Sequence, residues 1–300
     1  MSFGYSIVKL VLKLKGVKKS WSEDPIDYVK KRRENVSHPS NKLLLGNSFV
    51  TKTILDTKVT EITPVKPAND YLLFYCHGGA FVYGPTENNW ESLARIVKYT
   101  NTRAWMIDYP KAPENNIEKI AQNICEAYYK ALEKFKPSKI IFIGDSVGGN
   151  LLTSLTQGLI RDNKQLPNRL VLVTPMMDAS LTNHRIHEID SIDPILSYKG
   201  VHSAKKMCAG NFSLKDPIIS PLYGSFKDFP PIHIFVATND ILMPDQEVFI
   251  EKVKEEGGSI EVVVGEGMPH IWPLLPFFKE AKMAMGKIIS IINDAVLNDK

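Results

Sequence analysis

A chain of 300 residues with 44% hydrophobic and 23% charged residues has the make-up of an ordinary globular protein, near the upper size that one hydrophobic core supports, so one α/β domain with an insertion is expected. Its net charge of +4 is small, and beyond the N-terminus no long cationic run marks a nucleic-acid surface. Cys76, Cys125 and Cys208 are too few and too scattered for a disulfide framework or a Cys-x-x-Cys site, and no uncharged apolar run reaches the roughly 18 residues of a membrane span. Lys9, Lys13 and Lys15 interrupt the first apolar stretch, which is unlike a secretory signal, so a reducing, cytoplasmic setting is expected.

In chain order, residues 3 to 19 place Phe3, Ile7, Val11 and Leu14 on one helical face, with Leu10 and Val17 beside it and lysines elsewhere. Such a basic amphipathic helix is expected first to pack on the body of its own protein. Its functional readings are shielding an apolar pocket or a weak contact with a membrane surface through residues 3–19. The polar stretch to Asn47 holds no clear strand, and Phe49 to Ile62 alternates like antiparallel edge strands.

From Tyr71 a strand–helix rhythm takes over. Tyr71 to Cys76, Arg103 to Asp108, Lys139 to Ile143, Arg169 to Thr174, His233 to Ala237 and Ile260 to Val264 read as strands, each an apolar run suited to burial on both faces. Trp90 to Tyr99, Ile117 to Phe135, Asp245 to Glu256 and Phe277 to Asn293 read as helices, the third stopped by Gly257-Gly258. The alternation implies a mostly parallel sheet covered on both sides. Between Thr174 and His233 it breaks off, leaving a polar stretch and a helical piece near Gly200 to Ala209, placed to form a lid. The expected organisation is 1–47 as the N-terminal part of a cap, 48–179 as the first part of the core, 180–215 as a cap insertion and 216–300 as the rest of the core.

The strand Lys139 to Ile143 runs directly into Gly144-Asp145-Ser146-Val147-Gly148, and Leu151, Leu152, Leu155 and Leu159 follow at helical spacing. This is the pattern of a nucleophile elbow, in which a tight strand-to-helix turn lifts the serine clear of the sheet and the flanking glycines avoid collisions with neighbouring backbone. A glycine-rich turn without chemistry has the same short motif, so the reading depends on partners elsewhere.

A serine hydroxyl needs a base to take its proton and a third group to orient that base. In folds with this elbow the partners follow in the order acid, then histidine. Of the seven histidines only His270 lies in a loop beyond a late strand, and Asp240 is the first carboxylate past the preceding one. Asp245 is the rival acid, but it falls where the next helix starts and is more simply a helix N-terminal residue. For the oxyanion, the strand Tyr71 to Cys76 ends in His77-Gly78-Gly79-Ala80, whose glycine amides, with that of Val147, are candidate donors. A phosphate-binding loop is the competing reading, but no Lys-Ser/Thr follows the glycines.

Taken in order, His77-Gly78-Gly79, Asp108-Tyr109 with Ala112-Pro113-Glu114, Gly144-Asp145-Ser146-Val147-Gly148-Gly149, Asp216-Pro217 with Ser220-Pro221, Asp240 and His270 resemble the hormone-sensitive-lipase-like esterases of the α/β-hydrolase fold, over most of the chain beyond about residue 70. The resemblance implies Ser146, Asp240 and His270 as the triad, the amides of Gly78, Gly79 and Val147 as the oxyanion hole, and His77, Asp145, Gly144 and Gly148 in support. It implies a short- to medium-chain ester as substrate, no cofactor and no metal. Ala80 stands where the family usually has a third glycine and Val147 where it usually has alanine. The first is expected to strain its loop if φ is positive, the second to narrow the pocket mouth. An amidase or deacetylase shares such a triad, and a ligand-binding protein on this fold would lack the base that His270 supplies. Oligomeric state stays open, a dimer being compatible.

Overall fold

The computed structural model describes residues 3–297. One eight-stranded sheet runs through the molecule: β1 (Ser48–Ile54), β2 (Thr57–Thr63), β3 (Leu72–Cys76), β4 (Arg103–Asp108), β5 (Ile140–Asp145), β6 (Arg169–Val173), β7 (Ile232–Asn239) and β8 (Ile260–Pro269). Their spatial order is β1-β2-β4-β3-β5-β6-β7-β8, with the pairs β1–β2 and β2–β4 antiparallel at one edge and all later pairs, from β4–β3 on, parallel. Central β3 and β5 are buried at every residue, which is why their sequences read as continuous apolar runs and not as alternations.

The helices are α1 (Phe3–Leu14), α2 (Tyr28–Lys31), α3 (Glu87–Thr100), α4 (Ile117–Leu132), α5 (Val147–Arg161), α6 (Arg185–Asp190), α7 (Tyr198–Ala209), α8 (Met243–Glu255) and α9 (Lys279–Leu297). Local chemistry sets several starts. Thr86 and Asn89 close a capping box at the head of α3, and the Asn116 side chain accepts from the Lys119 amide at the head of α4. Register brings the strand ends together, pairing Cys76 with Gly144, Asp145 with Val173, Val173 with Phe235 and Asn239 with Pro269. The loops leaving β3, β5, β6, β7 and β8 therefore share the carboxyl edge of the sheet, the edge where parallel α/β sheets bind ligands.

The interval without strands carries α6 and α7 and packs against the N-terminal segment. The Lys18 ammonium reaches the Asp190 carbonyl, the Asp193 carbonyl at 3.0 Å and the Asp190 carboxylate at 3.2 Å. The Ile26 amide donates to Ser203 Oγ at 3.0 Å, and a Cβ on Gly200 would collide with the Trp21 carbonyl.

Two expectations change. The last strand runs to Pro269, because Gly265 to Pro269 stay alongside β7 across a bulge at Ala237 and Asn239. The N-terminal helix does pack on the body, but through Tyr5, Val8 and Leu12, whereas Ile7, Leu10, Val11 and Leu14 face outward. It carries two apolar stripes, and periodicity cannot say which one the core takes.

Candidate active site

Ser146 sits between β5 and α5 at φ 52° and ψ −123°, a conformation that costs a side-chain-bearing residue of order 1–3 kcal/mol. The turn is held by the Ser146 amide donating to the Val173 carbonyl at 2.9 Å and by the Ser146 carbonyl accepting from Met176 at 3.1 Å. The glycines are needed for close approach. A Cβ on Gly144 would lie 2.6 Å from the Gly148 carbonyl carbon, and one on Gly148 would overlap the Cys76 carbonyl at the end of β3. Gly148→Ala is therefore expected to cost about 3 kcal/mol of stability, read as a lowered urea midpoint, because backbone on both sides must move.

His270 directly follows β8 and is buried, and its Nδ1–H donates to Asp240 Oδ2 at 2.7 Å. Asp240 follows β7, is fully buried, and also accepts the Leu242 amide at 3.0 Å through Oδ1. Burial lowers the imidazole pKa, but the adjacent Asp240 charge and hydrogen bond outweigh it, so the His270 pKa stands above its ordinary value. Asp245, the rival acid, lies in the first turn of α8 in a different buried group with Asp178 and Lys205, where burial and repulsion from Asp178 push it up to about 7.

The glycine-rich loop packs against the elbow. His77 is fully buried, its ring stacked on Tyr109 at 4.5 Å and its Nδ1 bonded to the Gly78 carbonyl. Burial and the nearby Lys111 hold its pKa down at about 4, so it is a neutral support. Asp145 accepts from Tyr75 Oη at 2.5 Å and Asn89 Nδ2 at 3.3 Å. Burial raises it to about 6, with the hydrogen bond from Tyr75 acting in the opposite direction. Gly79 at φ 121° and Ala80 at φ 49° turn the chain over the cavity, and the strain foreseen at Ala80 is present.

Ser146, His270, Gly78, Gly79, Ala80 and Val147 line one cavity of about 80 Å³. Its remaining wall is mainly apolar and comes partly from the N-terminal segment and the insertion, through Trp21, Ile195, Leu196 and Val201. Two residues beyond the sequence reading complete it. Lys205 of α7 is fully buried and reaches the cavity wall, and burial lowers its pKa to about 8. Asp193 accepts the Ile195 and Leu196 amides at 2.8 Å each and the Ile241 amide at 3.0 Å, tying the insertion to the residue after Asp240. The Asp178 carbonyl that Lys205 reaches and the Ile241 amide that Asp193 accepts lie tens of residues away in the chain, so no local motif marks either contact.

The model of the alpha/beta hydrolase fold family matches residues 73–274, which contain the elbow, the glycine loop, Asp240 and His270. The chain belongs to that family. This α/β-hydrolase is 29% identical over 220 residues to an esterase of Acinetobacter venetianus, covering 72% of this chain and 73% of that one. It is 25% identical over 242 residues to a triacylglycerol lipase of Mycobacterium tuberculosis, covering 80% of this chain but 51% of the lipase. In fold it follows an esterase from the bacterial hormone-sensitive lipase family, with a TM-score of 0.86 over 99% of both chains at 23% identity. It is a carboxylesterase- or lipase-like hydrolase. Among the described residues no helix is long and apolar enough to cross a membrane.

Proposed function

We propose that the chain is a serine carboxylic ester hydrolase in which Ser146, His270 and Asp240 act as the triad on short- to medium-chain acyl esters. The observation that carries this is the single cavity shared by a strained, lifted serine and a buried histidine whose far nitrogen is already tied to a carboxylate. With Nδ1–H held by Asp240, the His270 Nε2 is the lone-pair nitrogen left for the Ser146 hydroxyl. Ser146 Oγ attacks the ester carbonyl as His270 takes its proton, and His270 returns that proton to the leaving alcohol. Water, deprotonated by the same nitrogen, then hydrolyses the acyl-enzyme. For the oxyanion we assign the amides of Gly78, Gly79 and Val147, which donate to no backbone carbonyl among the described residues and belong to residues lining the Ser146 cavity. A protein that only held a ligand would have no use for the His270–Asp240 pair.

Residues 1–47 and 180–215 serve in this reading as the cap between the two core parts, 48–179 and 216–300. Supporting it are the Lys18–Asp190 and Ile26–Ser203 contacts and the apolar wall that both segments supply. Residues 1 and 2 lie outside the described residues. Val147, buried beside Ser146, limits the room for the acyl group. A series of p-nitrophenyl esters from acetate to octanoate, with p-nitroacetanilide and a sugar acetate, tests both points. The short and middle esters are expected to be turned over best, and Val147→Ala to move the optimum to longer chains. A preference for the anilide would replace the esterase reading by an amidase, and an unmoved optimum would discharge Val147.

A further inference from the structure

The outward stripe of α1 is placed where a lipid surface would meet the mouth of the site. At 3.6 residues per turn, Ile7, Leu10, Val11 and Leu14 fall within an arc of about 100° opposite the face that Tyr5, Val8 and Leu12 bury. Ile7, Leu10 and Leu14 are 48%, 57% and 78% exposed, a large apolar surface for a helix already anchored on its other side. The flanks of this stripe are cationic. Lys9 and Lys13 stand on one side of it and Lys15 on the other, all exposed, with Lys19 following and no acidic residue before Glu23.

The stripe also borders a passage. A groove of about 1030 Å³ runs along α1, with Ile7, Val11 and the 65%-exposed Phe277 on its rim. At its inner end Trp21, Tyr83, Thr86, Ile195 and Ile271 belong to the wall of the Ser146 cavity as well, so the two spaces adjoin.

We infer that α1 docks the protein on the surface of an anionic phospholipid bilayer, its apolar stripe set into the boundary of headgroups and acyl chains and its lysines among the phosphates, with the groove opening toward the lipid. An apolar stripe between lysine flanks matches such a surface on both counts: the leucines leave water and the ammonium groups of α1 meet negative charge, while the acids of the groove, Glu23 and Glu34, lie outside the helix. Docking itself stands on the stripe. Only the delivery of an ester along the groove to Ser146 rests on the hydrolase reading.

Vesicle flotation of the full-length protein separates these claims. Binding to equimolar phosphatidylglycerol and phosphatidylcholine is expected to be at least tenfold tighter than to phosphatidylcholine alone, and to weaken with added salt, by about the effect of a few lysines near an anionic surface. The double variant Leu10→Ser/Leu14→Ser should weaken it by about 10²-fold, and Lys9→Gln/Lys13→Gln by about 25-fold with a smaller salt dependence. All four positions are exposed and away from the groove wall, so hydrolysis of soluble p-nitrophenyl acetate should stay within about twofold while hydrolysis of a vesicle-embedded ester falls with binding. Ser146→Ala should float like the wild type, which keeps docking separate from catalysis. Equal affinity for the two vesicle types, or variants that float unchanged, would overturn the inference. So would a concentration-dependent dimer in sedimentation equilibrium that Leu10→Ser/Leu14→Ser dissolves, since the stripe would then belong to a second copy.

Discussion

Ser146→Ala is expected to lower kcat on p-nitrophenyl butyrate by about 10⁶, the scale seen when the nucleophile is removed from a triad acting as a unit. The variant should fold as the wild type does, because alanine meets the same φ of 52° as serine and the turn is held by the backbone bonds to Val173 and Met176. An unchanged urea midpoint with activity lost would therefore locate the defect in the hydroxyl. The amides of Gly78, Gly79 and Val147 remain, so residual turnover above the uncatalysed rate is expected, but at the level of positioning and oxyanion stabilisation alone. Retention of more than a few per cent of wild-type kcat would sink the assignment of Ser146. A second check is covalent: a phosphonofluoridate, losing fluoride as the Ser146 oxygen displaces it, should add the mass of its phosphonyl group to one peptide, that containing Ser146, and to none in the variant.

Much of this arrangement was readable in the chain because it is local. Lys139 to Asn150 carries its own strand, turn and helix signals, and the collisions that a Cβ on Gly144 or Gly148 would cause are the reason those letters stand there. The parallel strands were readable for a different reason: burial on both faces leaves no polar alternation to confuse with a helix. What escaped was set by distant partners. Nothing around Asp193 says that it will hold the amide of Ile241, and Lys205 sits in an amphipathic stretch whose buried face was not marked. The N-terminal helix failed for a related reason. Its stronger stripe by count, Ile7 with Leu10, Val11 and Leu14, is not the one the core accepts, since Tyr5 finds the ring of Phe278 at 5.3 Å.

Replacing the acid separates two carboxylates only five positions apart. Asp240→Asn is expected to cost about 10⁴ in kcat near neutral pH, because an amide at that position no longer selects the imidazole tautomer that leaves Nε2 free as the base. Asp245→Asn should cost less than about tenfold, since burial and Asp178 already hold that carboxyl up to about 7 and the neutral amide resembles its protonated form. The pH profile supplies a signature that misfolding would not. In the wild type the Asp240 charge holds the His270 pKa above its ordinary value despite burial, so kcat/KM should fall as pH drops through that raised value and His270 becomes protonated. Without the Asp240 charge, burial still pulls the His270 pKa down, so the acid limb of Asp240→Asn should move to lower pH even as the plateau falls. Asp245→Asn should leave the limb where it is, because Asp245 is not among the groups that move the His270 pKa. Equal losses in the two variants, or an acid limb that moves with Asp245 and not with Asp240, would transfer the orienting role to Asp245 and with it the choice of which strand end builds the site.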